Sequence, residues 1–242
     1  MTRFARVCAA LAPLLLLSGC LLSPGKFTSS LDIRKDGAFT FVYVGEVVVS
    51  EQDEAITPDA AGANGEDKPG ATASPAKKQE AAMTKAREIA EALAKEKGFR
   101  SVKVIGDHKL SVDYRISGRL DHSFLFPFNI DAKAIIPFLA VEVRADGKVR
   151  MQAPAFGNAG DASPMGDMGG MGGGDKAAKE RNGTFTLTTD AEIVSQNEES
   201  GATDTPRGKQ VVWKITPQTR AVPMAVDRKS TRLNSSHRMP SR

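Results

Sequence analysis

Leu110-Ser111-Val112-Asp113-Tyr114-Arg115-Ile116-Ser117 alternates apolar and polar side chains without a break. A period of two sets Leu110, Val112, Tyr114 and Ile116 on one face and their neighbours on the other, which predicts an antiparallel strand with one face in water. Just upstream, Ser101 to Ile105 is a short β-branched run, and Gly106-Asp107-His108-Lys109 supplies the turn between the two. Further upstream the period changes. From Gln79 to Lys97, Ala82, Ala86, Ile89 and Leu93 with Met83, Ala90 and Ala94 form one apolar stripe, which predicts a helix. Gly98 stands where a C′ glycine belongs, and Phe99 follows in position to cover the last turn. Because the stripe is rich in alanine, this helix can lie close on a sheet.

The same pattern recurs on both sides. Leu31 and Ile33 alternate with polar residues, Lys35-Asp36-Gly37 turns, and Phe39, Phe41 and Tyr43 share a face of a strand running on to Val49, a β-hairpin. Phe138 to Arg144 and Lys148 to Gln152 flank Ala145-Asp146-Gly147, a second hairpin. Gly183 to Thr189 and Glu192 to Gln196 are expected to pair around Thr189-Asp190, and Gln210 to Thr216 carries Val211, Trp213 and Ile215 on one face. About eight strands and one main helix packed on them predict an α+β domain with a largely antiparallel sheet.

The N-terminus reads as a leader. Arg3 and Arg6 flank a short basic region, and Val7 to Leu17 is apolar but shorter than the ~20 residues a membrane-spanning helix needs. Leu17-Ser18-Gly19-Cys20 follows and looks like the lipobox of bacterial lipoproteins. The thiol is what the chemistry requires, because the Cys20 sulfur becomes the thioether that carries diacylglycerol and cleavage before it frees an amine for a further acyl chain such as palmitate. More than one acyl chain anchors stably, at about 0.8 kcal/mol for each buried CH₂. Leu21 in place of Asp points to the outer membrane, facing the periplasm, if the source is Gram-negative. Cys8 leaves with residues 1–19, so the mature domain has no disulfide and depends on its core.

At the other end, Asp227 to His237 matches the translation of a common sequencing adapter residue for residue, so residues 227–242 read as an adapter-derived artefact. The whole chain of 242 residues carries 33 Lys+Arg against 29 Asp+Glu. Setting aside residues 1–19 removes two basic side chains, and setting aside 227–242 removes five basic and one acidic, which leaves 26 basic and 28 acidic in 20–226. With the basic excess gone, no nucleic-acid partner is expected. Two low-complexity insertions are expected to be disordered within the single ectodomain 20–226. One, at about 50–78, is acidic and rich in Ala, Gly, Pro and Asp; the other, at about 157–182, is rich in Gly and Met.

Taken together, the lipobox, the Leu-Asp-Ile-Arg-Lys-Asp-Gly-Ala-Phe-Thr-Phe hairpin, the helix ending Lys-Gly-Phe-Arg-Ser-Val, and the late strands Asp-Ala-Glu-Ile-Val-Ser-Gln-Asn and Val-Val-Trp-Lys-Ile resemble bacterial lipoproteins of no assigned biochemical role, a group that includes the LppM-like domains of actinobacteria. The resemblance runs over most of residues 27–226. It implies an α+β ectodomain tethered to a membrane, with affinity for lipid or envelope glycolipid in the LppM case, and it transfers no active-site residue. The two low-complexity insertions depart from the simplest form of the pattern.

Few residues are candidates for chemistry. His108 sits in a turn, and His122 lies between Asp121 and Ser123; sequence neighbours point to opposite faces of a strand, so His122 could not assemble a triad with them. No nucleophile elbow, P-loop, GxGxxG or HExxH occurs, so no enzyme and no cofactor are expected. Met165, Met168 and Met171 recur every three residues in the glycine-rich insertion; an inert loop is the plain reading, and Cu(I) held by three thioethers the alternative. Phe124, Phe126 and Phe128, with Ile135 and Phe138 beyond, form an apolar run broken by Pro127 and Pro137. It reads as core under the helix, or otherwise as a groove for an acyl chain or a partner protein. The function expected is a non-enzymatic envelope binding or scaffolding module, held to the membrane through acylated Cys20 and partnered by an envelope protein or lipid, with a carrier of an apolar ligand and a Cu(I) binder as alternatives.

Overall fold

A computed structural model describes residues 20–51, 75–127, 137–158 and 179–228. Their order is β1 (Cys20–Ile33), β2 (Ala38–Glu51), α1 (Pro75–Ala94), β3 (Phe99–Gly106), β4 (Lys109–Arg119), β5 (Phe124–Phe126), β6 (Leu139–Val143), β7 (Lys148–Gln152), β8 (Asn182–Thr189), β9 (Glu192–Gln196), β10 (Thr203–Thr205), β11 (Gly208–Ile215) and β12 (Met224–Arg228). The class is α+β with one main helix, as expected, but the described residues hold twelve strands rather than about eight. They form two sheets: a seven-stranded one in the order β10-β11-β8-β1-β2-β4-β3 and a five-stranded one in the order β5-β6-β7-β12-β9.

All described pairings are antiparallel except β1 with β8, which run parallel. The predicted hairpin between Gly183–Thr189 and Glu192–Gln196 does not form. β8 belongs to the larger sheet and β9 to the smaller, so the chain changes sheets between them. The side chains at the crossing explain why. The Thr189 hydroxyl accepts from the Ala191 N–H at 3.1 Å, and the Asp190 carboxylate accepts from the Lys35 N–H at 2.6 Å, so local side-chain bonds stand in for ladder bonds at the corner.

The helix begins at Pro75 and ends at Ala94, shifted upstream from the expected 79–97. Lys95 and Glu96 donate to the carbonyls of Ala92 and Leu93, two tight i→i−3 bonds that close the helix early. Gly98 therefore closes the turn into β3 rather than capping the helix directly. Its φ of +103° suits glycine, and a Cβ there would stand 2.6 Å from the Tyr114 ring. Ala82, Ala86, Ile89, Ala90 and Leu93 are buried as the stripe predicts, whereas Ala94 is exposed.

One hydrophobic core lies between the inner face of the larger sheet and its two covers, α1 and the smaller sheet. α1 supplies Ala86, Ile89 and Leu93; the smaller sheet supplies Leu139, Val141, Val149, Met151 and Ala225. Across the larger sheet the strand register aligns Trp213, Phe185, Ser29, Tyr43, Tyr114 and Phe99 in a single row. Ser29 is its one small member, and Phe156, from the 3-10 turn Pro154–Phe156, packs between Phe185 at 5.5 Å and Phe27 at 4.4 Å. Such ring contacts add about 0.5–1.5 kcal/mol each beyond burial.

Candidate functional site

Cys20 is the first residue of β1 and pairs with Glu51, the last residue of β2. Three positions along, Ser23 pairs with Val48, which in turn pairs with Lys109 at the start of β4. The β3–β4 turn at Asp107 and His108 is thus level with Cys20 to within about 10 Å, at ~3.4 Å per residue. This turn is pinned on two sides. The His108 carbonyl accepts from the Val49 N–H at 2.7 Å, and the Gln79 side-chain amide donates to Asp107 at 2.5 Å, which ties the first turns of α1 to it. Lys109 and Glu180 form an ion pair at 2.5 Å, and its hydrogen bond holds the Lys109 ammonium above its usual pKa.

Both composition-biased stretches join the described fold at this same end. Residues 52–74 are flanked by Glu51 and the start of α1, and residues 159–178 by Asn158 and Lys179. The expected bounds of about 50–78 and 157–182 are corrected accordingly: Ser50 and Glu51 belong to β2, Pro75 to Lys78 to α1, and Asn182 to β8. Arg181 fastens the second junction. It is 5% exposed, donates to the carbonyls of Ala155 and Gly157 at 3.1 Å each and to the Asn158 side chain at 2.5 Å, and keeps a buried Nε without a partner among the described residues. Burial lowers its pKa.

The opposite end is built of tight turns. Asp32 holds Arg34 at 2.7 Å and also binds Arg207, and the Arg34 guanidinium donates to the Arg207 carbonyl at 2.6 Å. Arg119 donates to the Asp36 carbonyl at 2.6 Å.

The residues singled out for a ligand fall in different places. Phe126 is 2% exposed and Phe138 is fully buried. Phe126 packs on Tyr114 at 4.4 Å, Phe41 at 5.0 Å, Tyr43 at 5.4 Å and Phe138 at 5.8 Å, while Phe124, half-buried, meets Phe39 at 5.3 Å. The chain's own rings occupy the space a groove would need, so the described part of the run is core. Phe128 and Ile135 lie outside the described residues, as do Met165, Met168 and Met171, Leu17, Ser18 and Gly19 of the expected lipobox, and residues 229–242. Among the described residues no cluster of three or more His, Cys, Asp or Glu could hold a metal ion, and no helix is long and apolar enough to cross a membrane.

Asp121 and His122 do meet, contrary to the expectation that neighbours diverge. They occupy a bend after β4 rather than a strand, and Asp121 Oδ1 lies 2.5 Å from His122 Nδ1. The pair is open to solvent, with side chains 75% and 84% exposed, and the Asp121 carboxyl is held below its usual pKa by its own backbone N–H and by the His122 ring.

Sequence reasoning missed Asp227. It extends β12 into the stretch read as adapter, pairs with Val149 and Ile193, and is 3% exposed. Thr189 donates to its Oδ2 at 3.1 Å while Oδ1 has no side-chain partner among the described residues, and burial pushes its pKa up to about 6. An Asp flanked by Val226 and Arg228 gives no sequence signal of burial, since only the pairing on both sides encloses it.

An open trough of about 560 Å³ crosses the larger sheet, lined by Lys26, Thr28, Val44, Asn182 and Thr184 among others.

No protein-family model matches the chain, and no curated protein matches it. Among solved structures it is similar to the folded domain of LppM from Mycobacterium tuberculosis, determined by NMR, at 13% identity, with 87% of this chain and 92% of that one covered and a TM-score of 0.30. A likeness that loose transfers neither a residue nor a role.

Proposed function

We propose that this chain is an envelope lipoprotein, anchored through an acylated Cys20, whose ectodomain binds or scaffolds an envelope component and catalyses no reaction. The observation that carries the reading is the sequence before Cys20: a basic start, an apolar run from Val7 to Leu17 too short to span a membrane, and Leu17-Ser18-Gly19 directly ahead of the cysteine. Leu21 directs the proposal to the outer membrane, with the domain on the periplasmic side. The non-enzymatic part rests on the chemistry of the candidates. His108 is an exposed turn residue, and the Asp121–His122 pair stands open to solvent on a bend, with no enclosed cleft around it to hold a substrate or exclude water. The carrier alternative needs space beside Phe126 and Phe138, and their neighbours fill it.

Membrane fractionation of the full chain and of Cys20→Ala, expressed in a Gram-negative host, tests the anchor. The account expects the parent chain in the outer-membrane fraction and the variant out of the lipoprotein pool, retained as uncleaved precursor or released as soluble protein. A parent chain recovered as soluble protein overturns it. Native mass spectrometry of residues 20–228 carrying Cys20→Ala tests the carrier reading, because a co-purifying lipid mass would restore it.

A further inference from the structure

We infer that the Cys20 end of the larger sheet, comprising Glu51, the Asp107–His108 turn and the Lys109–Glu180 ion pair, lies directly against the lipid headgroup layer, and that the Arg34–Gly37 turn faces away from it. The inference rests on acylation of Cys20 and adds to it the orientation of the domain. Its ground is the absence of slack: Cys20 is itself paired, to Glu51, so no length of chain separates an acyl thioether from the first ladder of the sheet. An anchor on a flexible linker of a dozen residues would let a domain wander by roughly 20 Å, whereas an anchor on a paired strand residue lets it pivot and little more. The groups level with that residue are also fixed. Val49 and Gln79 hold the His108 turn, and Glu180 holds Lys109, so this end meets the headgroups as one body with hydrogen-bonding and charged groups of both signs. The 14 residues of β1 set the other end roughly 40 Å away, at ~3.4 Å per residue and less one bulge between Pro24 and Phe27.

The test uses the full chain, acylated in a bacterial host and reconstituted in phosphatidylethanolamine/phosphatidylglycerol vesicles with a headgroup spin-labelled lipid as quencher. A fluorophore is placed on His108→Cys or on Lys35→Cys, both exposed positions, and intact mass reports acylation of each sample. The inference expects quenching several-fold stronger at 108 than at 35, and loss of most of that difference when about a dozen Gly/Ser residues are inserted between Leu21 and Leu22. Equal quenching at the two positions in an acylated sample overturns the orientation and leaves the anchor standing. An unmodified Cys20 overturns both.

Discussion

Phe27 occupies the space that a side chain on Gly183 would take. The two face each other across the parallel β1–β8 pair, and a Cβ on Gly183 would stand 2.3 Å from the Phe27 carbonyl oxygen and 2.7 Å from its ring. Gly45 flanks Phe27 on the other side, where a Cβ would come within 2.5 Å of its Cα. The bulge in β1 between Pro24 and Phe27 brings these backbones together, and the Phe27 ring then stacks on Phe156 at 4.4 Å.

Gly183→Ala is therefore expected to destabilise the domain by about 2–3 kcal/mol, because the neighbour that must yield is backbone rather than a side-chain tip. Urea unfolding followed by Trp213 fluorescence measures it, and a change within about 0.5 kcal/mol would contradict the close approach.

Phe126→Ala separates core from groove. A fully packed phenylalanine costs about 3–5 kcal/mol on truncation, whereas a residue lining an open ligand groove costs far less. Its ring meets Tyr114, Phe41, Tyr43 and Phe138, so the larger loss is expected in a thermal or urea melt.

Asp227 makes stability depend on pH. Its folded pKa of about 6 lies above the ordinary 3.8, so the folded state holds the proton more tightly, and stability is full below ~4 and falls as pH rises through 6. The loss is about 3 kcal/mol over that window, at 1.36 kcal/mol per unit. The expected signature is the difference between the parent chain and Asp227→Asn, since exposed carboxylates such as Asp121 and Asp146 contribute equally to both. Parallel stability curves from pH 4 to pH 7.5 would contradict it.

Arg181→Ala removes a buried guanidinium from two carbonyls and the Asn158 amide, and leaves those acceptors in its place without donors. A loss of about 2–3 kcal/mol is expected. Hydrogen exchange should locate it: faster exchange at Gly157 and Asn158, with the β3–β4 hairpin unchanged.

Much of this architecture was legible in the alternation of single strands. Leu110, Val112 and Tyr114, then Phe39, Phe41 and Tyr43, and Val211, Trp213 and Ile215 all face the core as their period of two requires. What stayed hidden was pairing between strands far apart in sequence. Cys20 to Ser30 carries no clean alternation because the bulge at Pro24 shifts its faces, and Met224 to Arg228 is a short run that becomes a strand only between β7 and β9. The Thr189-Asp190 pair reads as a hairpin turn, yet Lys35 and Ala191 capture it as a corner between sheets. For the proposed anchor, Cys20 is singled out by the residues before it alone. The level of His108 and Lys109 beside it depends on strand register and was not legible.

Intact mass and N-terminal sequencing of the full chain extracted from host membranes test the central claim most directly. The account predicts an N-terminus at Cys20, blocked and carrying a diacylglyceryl thioether plus an amide-linked acyl chain. A chain that begins at Met1, or that begins at Cys20 with a free thiol, would contradict it.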